Sequence, residues 1–152
     1  ESNTRTIVPT SGETNSIAYS NNGITWTGCL KDGVYFGGAS RIAWGTPGGV
    51  GRWVVGGSIS IVYDERSREH YKKDDSSNTM VYSSDGINWT TSASFYNLID
   101  RACTGVCWNG SVFIAGGRSN MNYSIKRLIY SSDGITWNNT NISDIIVSLL
   151  HY

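Results

Sequence analysis

Charge is scarce in this sequence, and what there is cancels. Twelve basic and 12 acidic side chains, 16% of 152 residues, leave no net charge. That balance removes any overall electrostatic case for nucleic acid or an anionic membrane as partner. Long apolar runs are missing as well. The longest, "IIVSLL" from Ile145, is far short of the roughly 20 residues a membrane-spanning helix needs. No Met opens the chain and no signal-like segment is visible, so the N-terminus is expected to be a processed or excised boundary. Three Cys are too few for a disulfide framework. Cys103 and Cys107, four apart, would share one face of a regular strand about 13 Å from each other, beyond disulfide reach. All three thiols are expected to be structural. His70 and His151 have no Cys partner at zinc spacing, so no metal and no cofactor is expected.

Turn formers and aromatics are present in quantity. Eighteen Gly, 34 Ser plus Thr and 13 Asn stand against two Pro, which points to many short strands joined by tight turns. At 152 residues the chain is one domain's worth, and nine Tyr and six Trp are many for that size. One eight-residue phrase occurs three times: "YSNNGITW" from Tyr19, "YSSDGINW" from Tyr82 and "YSSDGITW" from Tyr130. Between the copies runs a second pattern, "SRIAWGTPGGVGRWVVGGS" from Ser40 and "GVCWNGSVFIAGG" from Gly105. Both read as a short strand ending in Trp44 or Trp108, a Gly-containing turn, an apolar strand and a Gly pair.

Each pattern predicts a hairpin. Asn109-Gly110 suits the positive φ angles of a type I′ turn. In the octet, Asn22-Gly23, Asp85-Gly86 and Asp133-Gly134 supply the turn, and "ITW" or "INW" begins the return strand with Ile and Trp on one face. Two hairpins in series make four antiparallel strands, A to D. Tyr82 to Tyr130 is 48 residues, the length of a four-stranded β-propeller blade, whereas Tyr19 to Tyr82 is 63. The surplus lies in the B-to-C connection, where nine of the 24 charges fall between Asp64 and Asp75. That segment reads as a polar loop grafted onto one blade. Arg5 and Arg52 recur at the start of B strands, which suits a solvated strand end. The units fall near 1–26 (B-C-D), 40–89 and 104–137 (A-B-C-D), and 144–150 (A). The expected fold is therefore all-β: one propeller domain of about three blades. So few blades make too tight a ring, so closure is expected from the N- and C-terminal strands together, from a partner chain in a homo-oligomer, or from further blades of the same polypeptide.

Ser131, Asp133, Gly134, Thr136 and Trp137, in the order Ser-x-Asp-Gly-x-Thr-Trp, resemble the Asp-box, or BNR repeat, of sialidase-type β-propellers, in a variant shortened between Asp and Trp. Ser83, Asp85, Gly86 and Trp89 match likewise; Ser20, Asn22, Gly23 and Trp26 match with Asn in place of Asp. The tandem units are also similar to repeat proteins of large DNA viruses and some bacteria. The resemblance implies that the box lies in the C-to-D turn, opposite any active site, its Asp capping backbone N–H groups and its aromatic residue wedged into the core. The residues alone point the same way. A carboxylate two residues after Ser and before Gly takes backbone donors, and a fully buried Trp contributes roughly 2 to 3 kcal/mol. One acidic residue per turn supplies too few oxygens for calcium.

For catalysis the resemblance implies three arginines clamping a carboxylate, a Tyr–Glu nucleophile pair and an acid/base Asp. Glu1 and Glu13 lie near the N-terminus, and Glu65 and Glu69 in the charged insert. No facing carboxyl pair of the kind glycoside hydrolysis needs can be nominated, nor any Ser-His-Asp set or phosphate loop. The chain is expected not to be an enzyme. The candidates left are for binding: Arg66, Arg68, His70, Tyr71, Lys72 and Lys73 on the insert, with Tyr96 and Arg101 on the neighbouring D-to-A connection. There an aromatic among hydrogen-bonding groups could stack on a sugar or anchor a protein; the competing reading is a solvated loop. The expected role is a non-enzymatic structural or recognition module, in a virion or a secreted particle. A lectin-like carbohydrate binder and a non-catalytic segment of a sialidase-like glycoside hydrolase are the alternatives.

Overall fold

The computed structural model of the chain describes residues 6–9, 17–29, 38–58, 61–64, 69–72, 79–92, 98–99, 102–119 and 125–140. Those residues are all-β and hold no α-helix. Strands β1 (Thr6–Pro9), β2 (Ile17–Ser20) and β3 (Thr27–Gly28) form a three-stranded antiparallel sheet in chain order, the first unit. The second unit opens with β4 (Gly38–Gly45) and β5 (Arg52–Ser58), joined through a short 3-10 turn at Pro47–Gly49. A separate two-stranded hairpin follows, β6 (Ile61–Asp64) with β7 (Glu69–Lys72). Then β8 (Met80–Ser83) pairs with β5, and β9 (Thr90–Thr91) with β8. The third unit repeats the meander with β10 (Ala102–Trp108), β11 (Phe113–Ser119), β12 (Ile125–Ser131) and β13 (Asn138–Asn139). One pairing, Ala102 with Ser58, joins the second and third units into an eight-stranded sheet, and that sheet curls into half a barrel.

Side-chain alternation along β5 accounts for the layering. Val54 and Val55 are neighbours and so point to opposite faces, yet both are buried, at 1% and 0% exposure. Val54 shares a core with Cys103, Val106, Phe113, Ala115, Ile129 and Trp137 of the third unit. Val55 shares another with Val81, Trp89 and Ile17, the last from the first unit. The second unit is thus covered on both faces, one neighbour on each side.

The second and third units approach closely at a repeat glycine: a Cβ on Gly56 would stand 2.4 Å from Cys103 Sγ. Inside the third unit, a Cβ on Gly117 would stand 2.2 Å from the Ala102 carbonyl oxygen of the adjacent strand and 2.6 Å from Ile99 Cγ2. Both A-type strands carry a bulge at the same place, between Ala39 and Arg41 in β4 and between Cys103 and Gly105 in β10. The extra residue resets the alternation, so Cys103 and Val106 enter one core and Cys107 points the other way. Cys103 and Cys107 therefore do not share a face, as a regular strand would have had them. All three thiols are free, and full burial pushes Cys103 up to about 12.

Other local expectations are also revised. Trp108 pairs with Phe113, so the turn spans Asn109 to Val112. Asn109 serves as an acceptor, its Oδ1 taking the N–H groups of Ser111 and Val112 at 2.9 Å each, while Gly110 carries the positive φ of 96°. The charged insert contains a β-hairpin, with Ile61 opposite Lys72 and Asp64 opposite Glu69; the β-branched and aromatic run Ile61-Val62-Tyr63 suits a strand. The return strands of the octets begin after the Trp and are two residues long. The expected strand at 144–150 lies outside the described residues.

Candidate functional site

The three octet turns are built from the same side-chain bonds. In the third, Ser131 Oγ accepts the N–H groups of Asp133 (3.3 Å) and Gly134 (2.8 Å) and donates to Asp133 Oδ1 at 2.8 Å. Asp133 Oδ1 accepts the N–H groups of Ile135 and Thr136, each at 2.7 Å. Ser83 and Asp85 make the same set around Gly86, Ile87 and Asn88, and Asn88 Nδ2 adds a bond to Asp85 Oδ2 at 2.7 Å. Ser20 and Asn22 repeat it with the amide oxygen in place of a carboxylate, at 2.9 and 2.8 Å to Ile24 and Thr25. The glycines Gly23, Gly86 and Gly134 sit at φ 72°, 75° and 73°, in the left-handed region. These bonds hold Ile-x-Trp inside the turn and delay the return strand.

Ionisation follows from that geometry. Partial burial works against the charged form of Asp85, but the Asn88 amide, the N–H groups of Asn88 and Ile87, and the Ser83 hydroxyl outweigh it and hold the carboxyl well below the usual range. Asp133 is lowered in the same way: burial opposes, and bonds from Thr136, Ile135 and Ser131 prevail. Each Oδ1 already receives two N–H bonds and one O–H bond, so these oxygens are spent on the turn itself.

The Trp residues differ by position. Trp89 and Trp137 are 4% and 3% exposed, each packed into the core shared with the unit before its own. Trp26 is 40% exposed. Trp108 lies against Phe113 at 4.7 Å between ring centroids, and its ring would stand 2.6 Å from a Cβ on Gly45 of the second unit. Its counterpart Trp44 is tilted against Trp53, 4.7 Å between ring centroids, but is 44% exposed. The first unit has no A-type strand among the described residues for it to lie against.

The units are also stitched by hydrogen bonds that the sequence patterns did not flag. The Cys29 thiol donates to the Gly86 carbonyl at 3.4 Å, and the Ser92 hydroxyl donates to the Ile135 carbonyl. Cys29 and Ser92 both follow a two-residue D-type strand and reach the next unit's box. Ser40 Oγ, in the β4 bulge, reaches Cys103 O at 3.4 Å. The only available signal was the recurrence of a small donor at one repeat position. Arg52, expected at a solvated strand end, is half-buried, its guanidinium 5.3 Å from the Tyr82 ring centroid and its chain against Gly134.

Of the binding candidates, His70, Tyr71 and Lys72 lie in β7, opposite Tyr63, Val62 and Ile61. Arg66, Arg68, Lys73, Tyr96 and Arg101 lie outside the described residues. Among the described residues no group of three or more His, Cys, Asp or Glu could hold a metal ion, and no helix is long and apolar enough to cross a membrane. Comparison with protein-family models, with curated proteins and with solved structures finds no match to this chain.

Proposed function

We propose that the chain is a run of β-propeller blades acting as a non-enzymatic assembly or recognition module. The observation that carries this reading is the wedge made by Trp89 and Trp137, each buried against the preceding four-strand or three-strand unit beside an Asp-box-like turn. A propeller is such a succession: sheets stacked face to face about an axis. The Oδ1 atoms of Asp85 and Asp133 each hold three bonds within their turns, which supports a structural role for the two residues over a chemical one. An experimental structure tests the architecture: the three units should be related by nearly equal rotations about one axis, and an irregular arrangement would overturn the blade reading. Fluorogenic glycosides, a sialoside included, test the absence of chemistry; turnover above the protein-free rate would overturn it.

A carbohydrate-binding reading draws on one further observation. Trp44, tilted against Trp53 and lying over Gly51, leaves an aromatic surface 44% exposed. A glycan array in which Trp44→Ala abolishes a signal seen with the parent chain would favour it, and a blank array would remove it.

A further inference from the structure

We propose that the two outermost sheet faces of this chain dock onto each other across two copies, head to tail, with Trp26 of one copy seated on the Tyr130 face of the next. The proposal rests on the blade reading above and concerns what covers the end units. Twice within the chain, one unit's leading face, carrying its box Trp, packs on the trailing face of the unit before it. Trailing faces carry the octet Tyr: Tyr19 packs against the core around Trp89, and Tyr82 against the core around Trp137. In the third unit the equivalent Tyr130 is 40% exposed. Around it Ile114, Cys107 and Leu128 are half-buried, at the repeat positions where the second unit has Val54, Ala43 and Met80 in the core or against it.

A hydrogen bond marks the same open face. Thr140 stands at the position of Cys29 and Ser92, which reach across to the next unit's box. Its hydroxyl instead turns back to Leu128 O of its own sheet, at 2.8 Å. At the other end the first unit's leading face has no partner sheet among the described residues. Trp26 is 40% and Ile24 84% exposed. A Cβ on Gly23 would meet nothing within 4 Å, whereas one on Gly134 would stand 2.8 Å from Arg52 Cδ. One molecule therefore presents both halves of a joint that it already makes twice internally, and a second copy carries both complements. Such a joint is heterologous, so it closes into a ring or propagates.

Sedimentation velocity over a concentration series provides the test. The parent chain should associate, and Trp26→Ala and Tyr130→Asp should each weaken association about 10-fold or more. Both side chains are exposed, so circular dichroism should not change. An equimolar mixture of the two variants should recover pairs, because the intact Trp26 face of one meets the intact Tyr130 face of the other. A parent chain that stays monomeric at about 100 µM, variants that associate like the parent, or a mixture that stays monomeric would each overturn the proposal. A folded monomer would do so without touching the blade reading, which stands on the internal joints.

Discussion

At the first octet, Ser20 and Asn22 organise the turn through the same five kinds of hydrogen bond that Ser131 and Asp133 make at the third. The Trp that ends each turn has a different fate: 40% exposed at Trp26 and 3% at Trp137. A turn held by oxygens two and three residues away forms wherever those residues occur. Burial of its indole requires another sheet; the third unit has one at its leading face, whereas among the described residues none lies against that of the first. The octet is therefore a local device for aiming a Trp, and the neighbouring unit decides what the Trp is worth.

The sharpest way to break this comparison is to delete the indoles one at a time. Trp137→Ala should cost about 3 to 5 kcal/mol in urea unfolding, the range for a buried aromatic, while Trp26→Ala in the dilute monomer should cost less than about 1 kcal/mol. Equal losses would mean that burial is not what separates the two turns. Next come the glycines. Gly134→Ala combines a left-handed backbone with close approach to Arg52, Phe113 and Val54 at 2.8 to 3.0 Å, and should cost about 2 to 3 kcal/mol by thermal unfolding. Gly23→Ala carries only the backbone term, about 1 kcal/mol.

Smaller effects sharpen the Asn-for-Asp difference. Asp133→Ala should lose about 1 to 2 kcal/mol as the two N–H groups lose their acceptor. Asp133→Asn should stay within about 0.5 kcal/mol, because Asn22 makes the same bonds. The smallest expected effect is on pH dependence. Asp85 and Asp133 are lowered in the folded state, so their contribution is present above the unfolded carboxylate range near pH 4 and is lost as pH falls through the folded values. Acid titration of the Asp85→Asn, Asp133→Asn double variant, followed by circular dichroism, should give a shallower loss of stability below about pH 4 than the parent chain gives.

Much of the strand order was legible because the pattern repeats. "RWVVGG" and "VFIAGG" mark β5 and β11, and the octet Tyr and Ser close β8 and β12. The strand limits were less legible. Ile87-Asn88-Trp89 has the alternation of a strand, yet Asp85 captures two of its N–H groups and keeps it in the turn. The bulges at Ser40 and Thr104 were invisible, since one extra residue in a strand leaves no mark on composition and only inverts which side chains face inward. The hairpin in the insert was obscured by the charges that surround Ile61-Val62-Tyr63. The binding candidates on that insert came from residue type alone, and five of the eight lie outside the described residues.

Residue order alone dictated the turns, because their hydrogen bonds run between groups no more than three positions apart. It also dictated the all-β character, through short apolar runs bounded by Gly, Asn and Ser. Which face of each strand is inside, why Gly56 must be glycine, and why Trp44 and Trp26 stand open while Trp137 is sealed came from the way one sheet lies on the next. Those outcomes depend on atoms from residues tens of positions apart meeting within a few ångströms, and no local pattern encodes that meeting.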